Sequence, residues 1–286
     1  MCCDGTVSDD SDPATLLAVA ERLAGEAADF VRRRRAEVFG AGQSHDETPS
    51  AVRSKSTPTD PVTIVDTETE RLLRDRLADL RPGDPVVGEE EGGSLVGHAG
   101  RPTWVLDPID GTVNFVYGLE AYAVSVGVQV DGRSVAGAVA NVPTGEMFSA
   151  ARGRGARLRR GDESTPLHCN VIDDLSMALV GTGFGYEPER RSRQGQVLLG
   201  LLPDVRDVRR IGSCALDLCM VAAGRLDAYY EEGVHVWDWA AGALIAEEAG
   251  ARLVLPAVDM GDGLIVAAAP GISAALDDAL RRASGR

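Results

Sequence analysis

Leu16, Ala20, Leu23, Ala27 and Val31 recur at helical spacing directly after Asp12-Pro13. Asp is a favoured N-cap and Pro suits the first helical position, so the pattern predicts a helix from residue 13. It is expected to end in a solvated turn near Arg32-Arg33-Arg34-Arg35, where cations suit the helix dipole. Residues 40–61 are polar and rich in Gly, Ser, Thr and Pro, and read as a loop long enough to be functional or mobile. A second helix is predicted from about Asp66 to Leu80, with Leu73, Leu77 and Leu80 on one face and Thr67 and Glu70 fitting a capping box. A short strand, 85–88, runs into Glu89-Glu90-Glu91. The apolar run Trp104-Val105-Leu106 then opens WVLDPIDGTVNFVYG, and Pro108, which cannot donate to a ladder, should end that strand.

From Tyr122 to Ala150 the period falls to two. AYAVSVGVQV, SVAGAVANV and GEMFSAA are separated by Asp131-Gly132 and Pro143-Thr144-Gly145, which predicts an antiparallel meander. ARGRGARLRRGDES reads as a Gly/Arg loop and a candidate boundary. Beyond it strands (177–183, 205–211, 226–230) alternate with helices (191–202, one opening at Gly212-Ser213, and 237–249), before two further strands and a C-terminal helix. The expected organisation is a disordered segment 1–12, an α+β unit 13–152 and an α/β unit 153–286, giving an α/β protein overall.

The chain has 286 residues, 44% hydrophobic and 26% charged, enough for a substantial core. Its net charge of -15 opposes binding to nucleic acid or anionic membrane, and no stretch approaches a membrane span. The arginine runs 32–35 and 152–160 are the exceptions that a nucleic-acid-associated role would use. Lys55 is the single lysine. The N-terminus lacks the apolar core of a signal peptide, and five cysteines without a CxxC pair read as reduced thiols, so a cytoplasmic protein is expected. Four scattered histidines give no HExxH or His/Cys zinc cluster. GTGFGY at 181–186 has Tyr where GxGxxG needs its last glycine, so a dinucleotide loop is not predicted.

Several apolar segments end in acid and then turn: PVVGEEE at Glu89, WVLDPIDGT at Asp107 and Asp110, VHVWDWAAG at Asp238. Each alone could be a helix cap or a solvated charge. Asp107 and Asp110, three residues apart, would repel unless a cation lay between them. A hard divalent ion with oxygen ligands answers that repulsion, and Mg2+ fits best because it is commonly completed by water and substrate phosphate. Gly111-Thr112 offers free N–H groups to an anion if a helix or tight turn starts there. Cation and anion sites side by side point to two-metal hydrolysis of a phosphate ester.

KSTPTDPVTIVDTETE, GEE, WVLDPIDGTVNFVYG, RRIGSCALDLC, GRLDAYYEEG and WDWAAGALIAEEAG together resemble the signature segments of the inositol monophosphatase family, over nearly the whole chain beyond residue 12. The resemblance implies a layered αβαβα sandwich, shared with fructose-1,6-bisphosphatases, and a Mg2+-dependent, Li+-sensitive phosphatase using two or three ions. It implies that Glu89 binds the first metal, that Asp107 bridges both, that the Ile109 carbonyl completes the first, and that Asp110 and Asp238 hold the second. Thr112, backed by Asp66, would orient the attacking water. Gly111 and Thr112 would bind phosphate, and Glu231 would accept a substrate hydroxyl. Lys55, with Asp60 nearby, would sit on a mobile loop. Cys214 stands where the family often has alanine, which bears on the polyol. The implied substrate is a small phosphorylated polyol, inositol-1-phosphate first. Histidinol phosphate, fructose-1,6-bisphosphate and phosphoadenosine nucleotides are alternatives, and an RNA-polymerase-associated binding protein is a rival of another class. A homodimer is also implied.

Overall fold

Asp12 caps the first helix by accepting from the Ala14 and Thr15 amides, with Pro13 in the first turn. A computed structural model describes residues 11–40, 52–55, 61–95, 99–256 and 263–285; residues 1–10 and Asp60 lie outside these. The helix, α1 (Pro13–Phe39), does not end at the arginine run but continues to Phe39. The reason is tertiary. Arg32 donates to the Val142 carbonyl at 2.7 Å, Arg34 to Glu68 at 2.8 Å and Arg35 to the Phe115 carbonyl at 2.9 Å. Three of the four arginines thus tie α1 to its neighbours instead of forming a solvated turn.

Two pieces of the expected 40–61 loop pair as short antiparallel strands, β1 (Val52–Ser54) and β2 (Pro61–Thr63). Helix α2 (Ile64–Leu80) starts two residues early, and its capping box is Thr63 with Asp66 rather than Thr67 with Glu70. Glu70 is instead fully buried and accepts from the Glu90 and Glu91 amides, at 2.7 and 3.0 Å.

The first sheet has seven strands in chain order: β3 (Val86–Gly88), β4 (Thr103–Asp110), β5 (Ala123–Val130), β6 (Arg133–Asn141), β7 (Glu146–Ala151), β8 (Ala156–Arg160) and β9 (Glu163–Leu167). β3 is parallel to β4, and the rest is an antiparallel meander. The stretch read as a Gly/Arg loop therefore holds β8 and the start of β9. Ala156 and Leu158 point inward while Arg157 and Arg159 point to solvent, and the flanking glycines mask this alternation. Nor does β4 stop at Pro108. It shifts register between Asp107 and Asp110 and pairs again at Asp110 with Ala123. Pro108 falls in the unpaired interval, where a missing N–H costs nothing.

The second sheet has order β11-β10-β12-β14-β13, from β10 (Leu179–Thr182), β11 (Asp207–Arg209), β12 (Ala228–Glu232), β13 (Arg252–Val254) and β14 (Leu264–Ala268). The remaining helices are α3 (Thr112–Tyr117), α4 (Pro188–Leu201), α5 (Cys214–Ala222), α6 (Val236–Glu248) and α7 (Ser273–Ser284). Four apolar clusters define five layers. Leu16, Leu23 and Leu73 from α1 and α2 pack on one face of the first sheet at Val124, Val126 and Val128. Its other face meets α5 and α6 through Val139, Phe148, Leu216 and Leu244. Those two helices also meet the second sheet at Tyr229 and Ile265. The outer face of that sheet meets α4 and α7 through Leu201, Leu276 and Leu280. The result is the αβαβα sandwich. Among the described residues no helix is long and apolar enough to cross a membrane.

Helix α6 lies unusually close to the first sheet. Gly127 and Gly137 pair across β5 and β6, and a Cβ on either would meet α6 at 2.9 Å (Ala240) or 2.8 Å (Ala241). Glycine on the sheet and alanine on the helix permit that approach, which carries the first turn of α6 toward the end of β4.

Candidate metal centre

That approach brings together carboxylates far apart in sequence. Asp107, Asp110 and Asp238 offer oxygens that all lie within 4.8 Å of one another. Asp107 Oδ1 accepts from the Ile109 amide at 3.0 Å, folding the carboxylate back over the register shift. Asp110 Oδ2 accepts from Ser213 Oγ at 2.6 Å and from the Ala215 amide at 2.7 Å, so the first turn of α5 orients it. Asp238 is the third residue of α6 and accepts from the His235 amide at 2.5 Å, closing a capping box. Each acid is held by one hydrogen-bonding oxygen or edge, while its environment disfavours charge. Burial pushes Asp110 up to about 7 against the Ser213 bond. Asp107 is raised well above its ordinary value, by burial and then by Glu89, Asp110 and Asp238; Asp238 is raised by burial and then by Asp110 and Glu89. A divalent cation with a preference for oxygen relieves this desolvation and repulsion, and the three residues fit one.

Glu89 lines the same cavity, of about 380 Å3, with Asp110, Asp238, Cys214 and Glu231. It is turned toward Lys55, whose ammonium donates to Glu89 at 2.8 Å and to Glu90 at 2.5 Å. Burial lowers the Lys55 pKa, but the two glutamates outweigh it and hold it above its usual value. Buried Glu70 fixes the Glu89–Glu91 turn from below, and a side chain at Gly88 would collide with its carboxylate, at 2.3 Å. Asp60, expected beside Lys55, lies outside the described residues.

Thr112 opens α3 after Gly111, whose φ of 94° lies in the left-handed region. A Cβ there would also sit 3.0 Å from the Ala121 and Gly212 carbonyls. The Thr112 hydroxyl lies 3.0 Å from both Asp66 Oδ1 and the Ile109 carbonyl. The other Asp66 oxygen accepts from the Thr63 amide and hydroxyl, at 2.9 and 2.5 Å. Burial carries Asp66 up to about 7, opposed by Thr63. A helix cap thus anchors an acid whose free oxygen meets Thr112.

Of the site residues read from the sequence, Lys55, Glu89, Asp110, Gly111, Cys214, Glu231 and Asp238 line this cavity; Asp107 clusters with Asp110 and Asp238, and Asp66, Ile109 and Thr112 form the hydrogen-bonded group next to Gly111. The sequence reading missed Glu70, Thr63, Ser213 and Tyr229. Ser213 was signalled as a helix start, and Thr63–Asp66 has capping-box spacing with Asp replacing Glu. Tyr229 carries no such local signal.

The sequence model of the Inositol monophosphatase family matches residues 12–284. The chain is 62% identical over 281 residues to inositol-1-monophosphatase SuhB of Mycobacterium tuberculosis (strain ATCC 25618 / H37Rv), covering 96% of this chain and 97% of that one. It is 38% identical over 220 residues to Nus factor SuhB of Vibrio cholerae, covering 75% and 80%. The solved structure of Mycobacterium tuberculosis SuhB superposes with a TM-score of 0.82 at 58% identity, over 96% of this chain and 99% of that one. The acid-lined cavity and the five layers are those of a phosphoric monoester hydrolase, and the chain belongs to the inositol monophosphatase family.

Proposed function

We propose that this protein is a Mg2+-dependent phosphatase that releases phosphate from inositol-1-phosphate. The observation that carries the reading is the convergence of Asp107, Asp110 and Asp238 beside a cavity that also holds Glu89 and Glu231. The name of the Mycobacterium tuberculosis relative supports the substrate. Glu89, Asp107 and the Ile109 carbonyl would hold one ion, and Asp107, Asp110 and Asp238 a second, within a complement of two or three. When bound, Mg2+ supplies the positive charge that activates water and offsets charge on the phosphoryl oxygens.

The chain's own groups do the rest. Thr112 orients the water, and Asp66, with a pKa of about 7, is placed to take a proton through the Thr112 hydroxyl. The Gly111 and Thr112 amides face the phosphate. Glu231 accepts a hydrogen bond from a polyol hydroxyl, with Cys214 in the wall beside it. Lys55 acts from the segment over Glu89, with Asp60 following it. Family likeness supports Li+ inhibition and a homodimer, and the free Cys169, Cys214 and Cys219 support a cytoplasmic setting.

A second reading, a factor associated with RNA polymerase, is favoured by the name of the Vibrio cholerae relative. The ties of Arg32, Arg34 and Arg35 within the fold speak against their use as a nucleic-acid patch. The test is phosphate release from inositol-1-phosphate, histidinol phosphate, fructose-1,6-bisphosphate and phosphoadenosine phosphate, with and without Mg2+. Inositol-1-phosphate should have the highest kcat/KM. Faster turnover of another member rejects the substrate, and no hydrolysis of any leaves the second reading.

A further inference from the structure

GTGFGY at 181–186 has glycines that no nucleotide explains. β10 carries the first two residues and runs beside β12, pairing Gly181 with Tyr229 and Thr182 with Tyr230. A Cβ on Gly183 would lie 1.8 Å from Glu231 Oε2 and 2.2 Å from its carboxyl carbon. A Cβ on Gly181 would lie 2.8 Å from Leu226 Cδ1, 3.0 Å from Asp217 Oδ1 and 3.3 Å from the Tyr229 ring. The chain beside Glu231 is therefore kept bare, so that the carboxylate can lie against the backbone.

Tyr229 and Glu231 are two residues apart on β12 and share a face of the sheet. Tyr229 is fully buried, and its hydroxyl donates to Glu231 Oε2 at 2.5 Å. A free glutamate samples several rotamers. This one is walled by Gly183 and tied through one oxygen to a tyrosine that cannot move, while the residue faces the cavity.

We propose that Gly183 and Tyr229 are positioning residues that set selectivity for polyol phosphates by fixing the Glu231 carboxylate, one oxygen on Tyr229 and the other free for a substrate hydroxyl. The proposal rests on the polyol reading of Glu231. A site built around a substrate hydroxyl discriminates strongly against esters without one, but only if the acceptor is held in place.

The experiment compares inositol-1-phosphate with phenyl phosphate, which has no hydroxyl beside its ester, in wild type, Tyr229→Phe, Gly183→Ala and Glu231→Gln. Tyr229→Phe should raise KM for inositol-1-phosphate about tenfold to a hundredfold with kcat nearly unchanged, and leave phenyl phosphate within about twofold. Gly183→Ala should follow the same pattern. Tyr229→Phe combined with Glu231→Gln should lose little beyond Glu231→Gln alone, since both act on one contact. Equal losses on both substrates would mean a structural role, and no loss on either in a folded variant would mean no role; both overturn the proposal. If Tyr229→Phe fails to fold by thermal melting, Gly183→Ala decides by the same criterion. Wild type that turns over both esters equally well rejects the polyol reading itself, and this proposal with it.

Discussion

Asp66 shows how one residue joins folding to chemistry. Its one oxygen completes the cap of α2 on Thr63, and its other oxygen meets Thr112. Thr63→Ala removes the cap and strips a buried acid of its hydroxyl donor, leaving only the Thr63 amide on that oxygen. It should destabilise the protein by about 1–3 kcal/mol and lower kcat, while Thr63→Ser should recover both. Thermal melts and initial rates on the three proteins check this, and a stable, fully active Thr63→Ala separates the cap from the site. Asp107, Asp110 and Asp238 were legible because each closes or follows an apolar run, where a carboxylate needs a reason. Thr63–Asp66 and Thr67–Glu70 both have capping-box spacing, so spacing alone does not decide between them. The choice is made by Thr112, 46 residues away, and by the Glu90 and Glu91 amides that claim Glu70. Tyr229 was invisible for the same reason: its role is a contact, and periodicity reports only burial.

At the scale of elements, the site depends on how near α6 comes to β5 and β6. Gly137→Val places a branched side chain where even a Cβ would be 2.8 Å from Ala241 Cα. Overpacking of this kind costs about 1–3 kcal/mol, and here it should also move Asp238 from its partners. The Mg2+ concentration for half-maximal activity should therefore rise; an unchanged Mg2+ dependence in a destabilised variant would detach the helix position from metal binding. A second joint is Glu146, at the start of β7, which accepts from Arg225 at 2.6 Å and from Arg160 on β8 at 2.6 Å. The Arg225 bond, more than burial opposes it, holds Glu146 below its ordinary value of 4.5. An acid with a depressed folded pKa stabilises the fold above its unfolded pKa and loses that contribution as pH falls through the folded value. Glu146→Gln should thus be less stable than wild type by about 1–2 kcal/mol near neutral pH, with the difference shrinking below about pH 4. Denaturant melts at both pH values measure it; a difference that grows on acidification has the wrong sign. β8 and β9 escaped the sequence reading because Arg157, Arg159 and Arg160 dominate the segment, although Ala156 and Leu158 are its buried positions.

For the whole molecule, the order of layers was not in the periodicity of any single element. It was implied by resemblance, and it has a physical trace in α5 and α6, which are apolar nearly all round because a sheet covers each side of them. This sandwich concentrates buried acids at the ends of β4 and α6 within a chain of net charge -15. A folded arrangement that repels itself should gain stability from a cation that the unfolded chain binds poorly. The melting temperature in excess Mg2+ should exceed that in EDTA by about 5 °C or more, and equal values would contradict a preformed cation site.

We propose that Asp107 joins the carboxylates into one Mg2+-dependent hydrolytic centre. Its most direct test is phosphate release from inositol-1-phosphate by wild type and Asp107→Asn across a Mg2+ titration, with folding checked by thermal melting. Wild type should depend on Mg2+, and folded Asp107→Asn should lose about a hundredfold or more in kcat/KM because the shared charge is gone. Wild-type release that ignores Mg2+, or an Asp107→Asn protein that keeps its activity, would contradict the account.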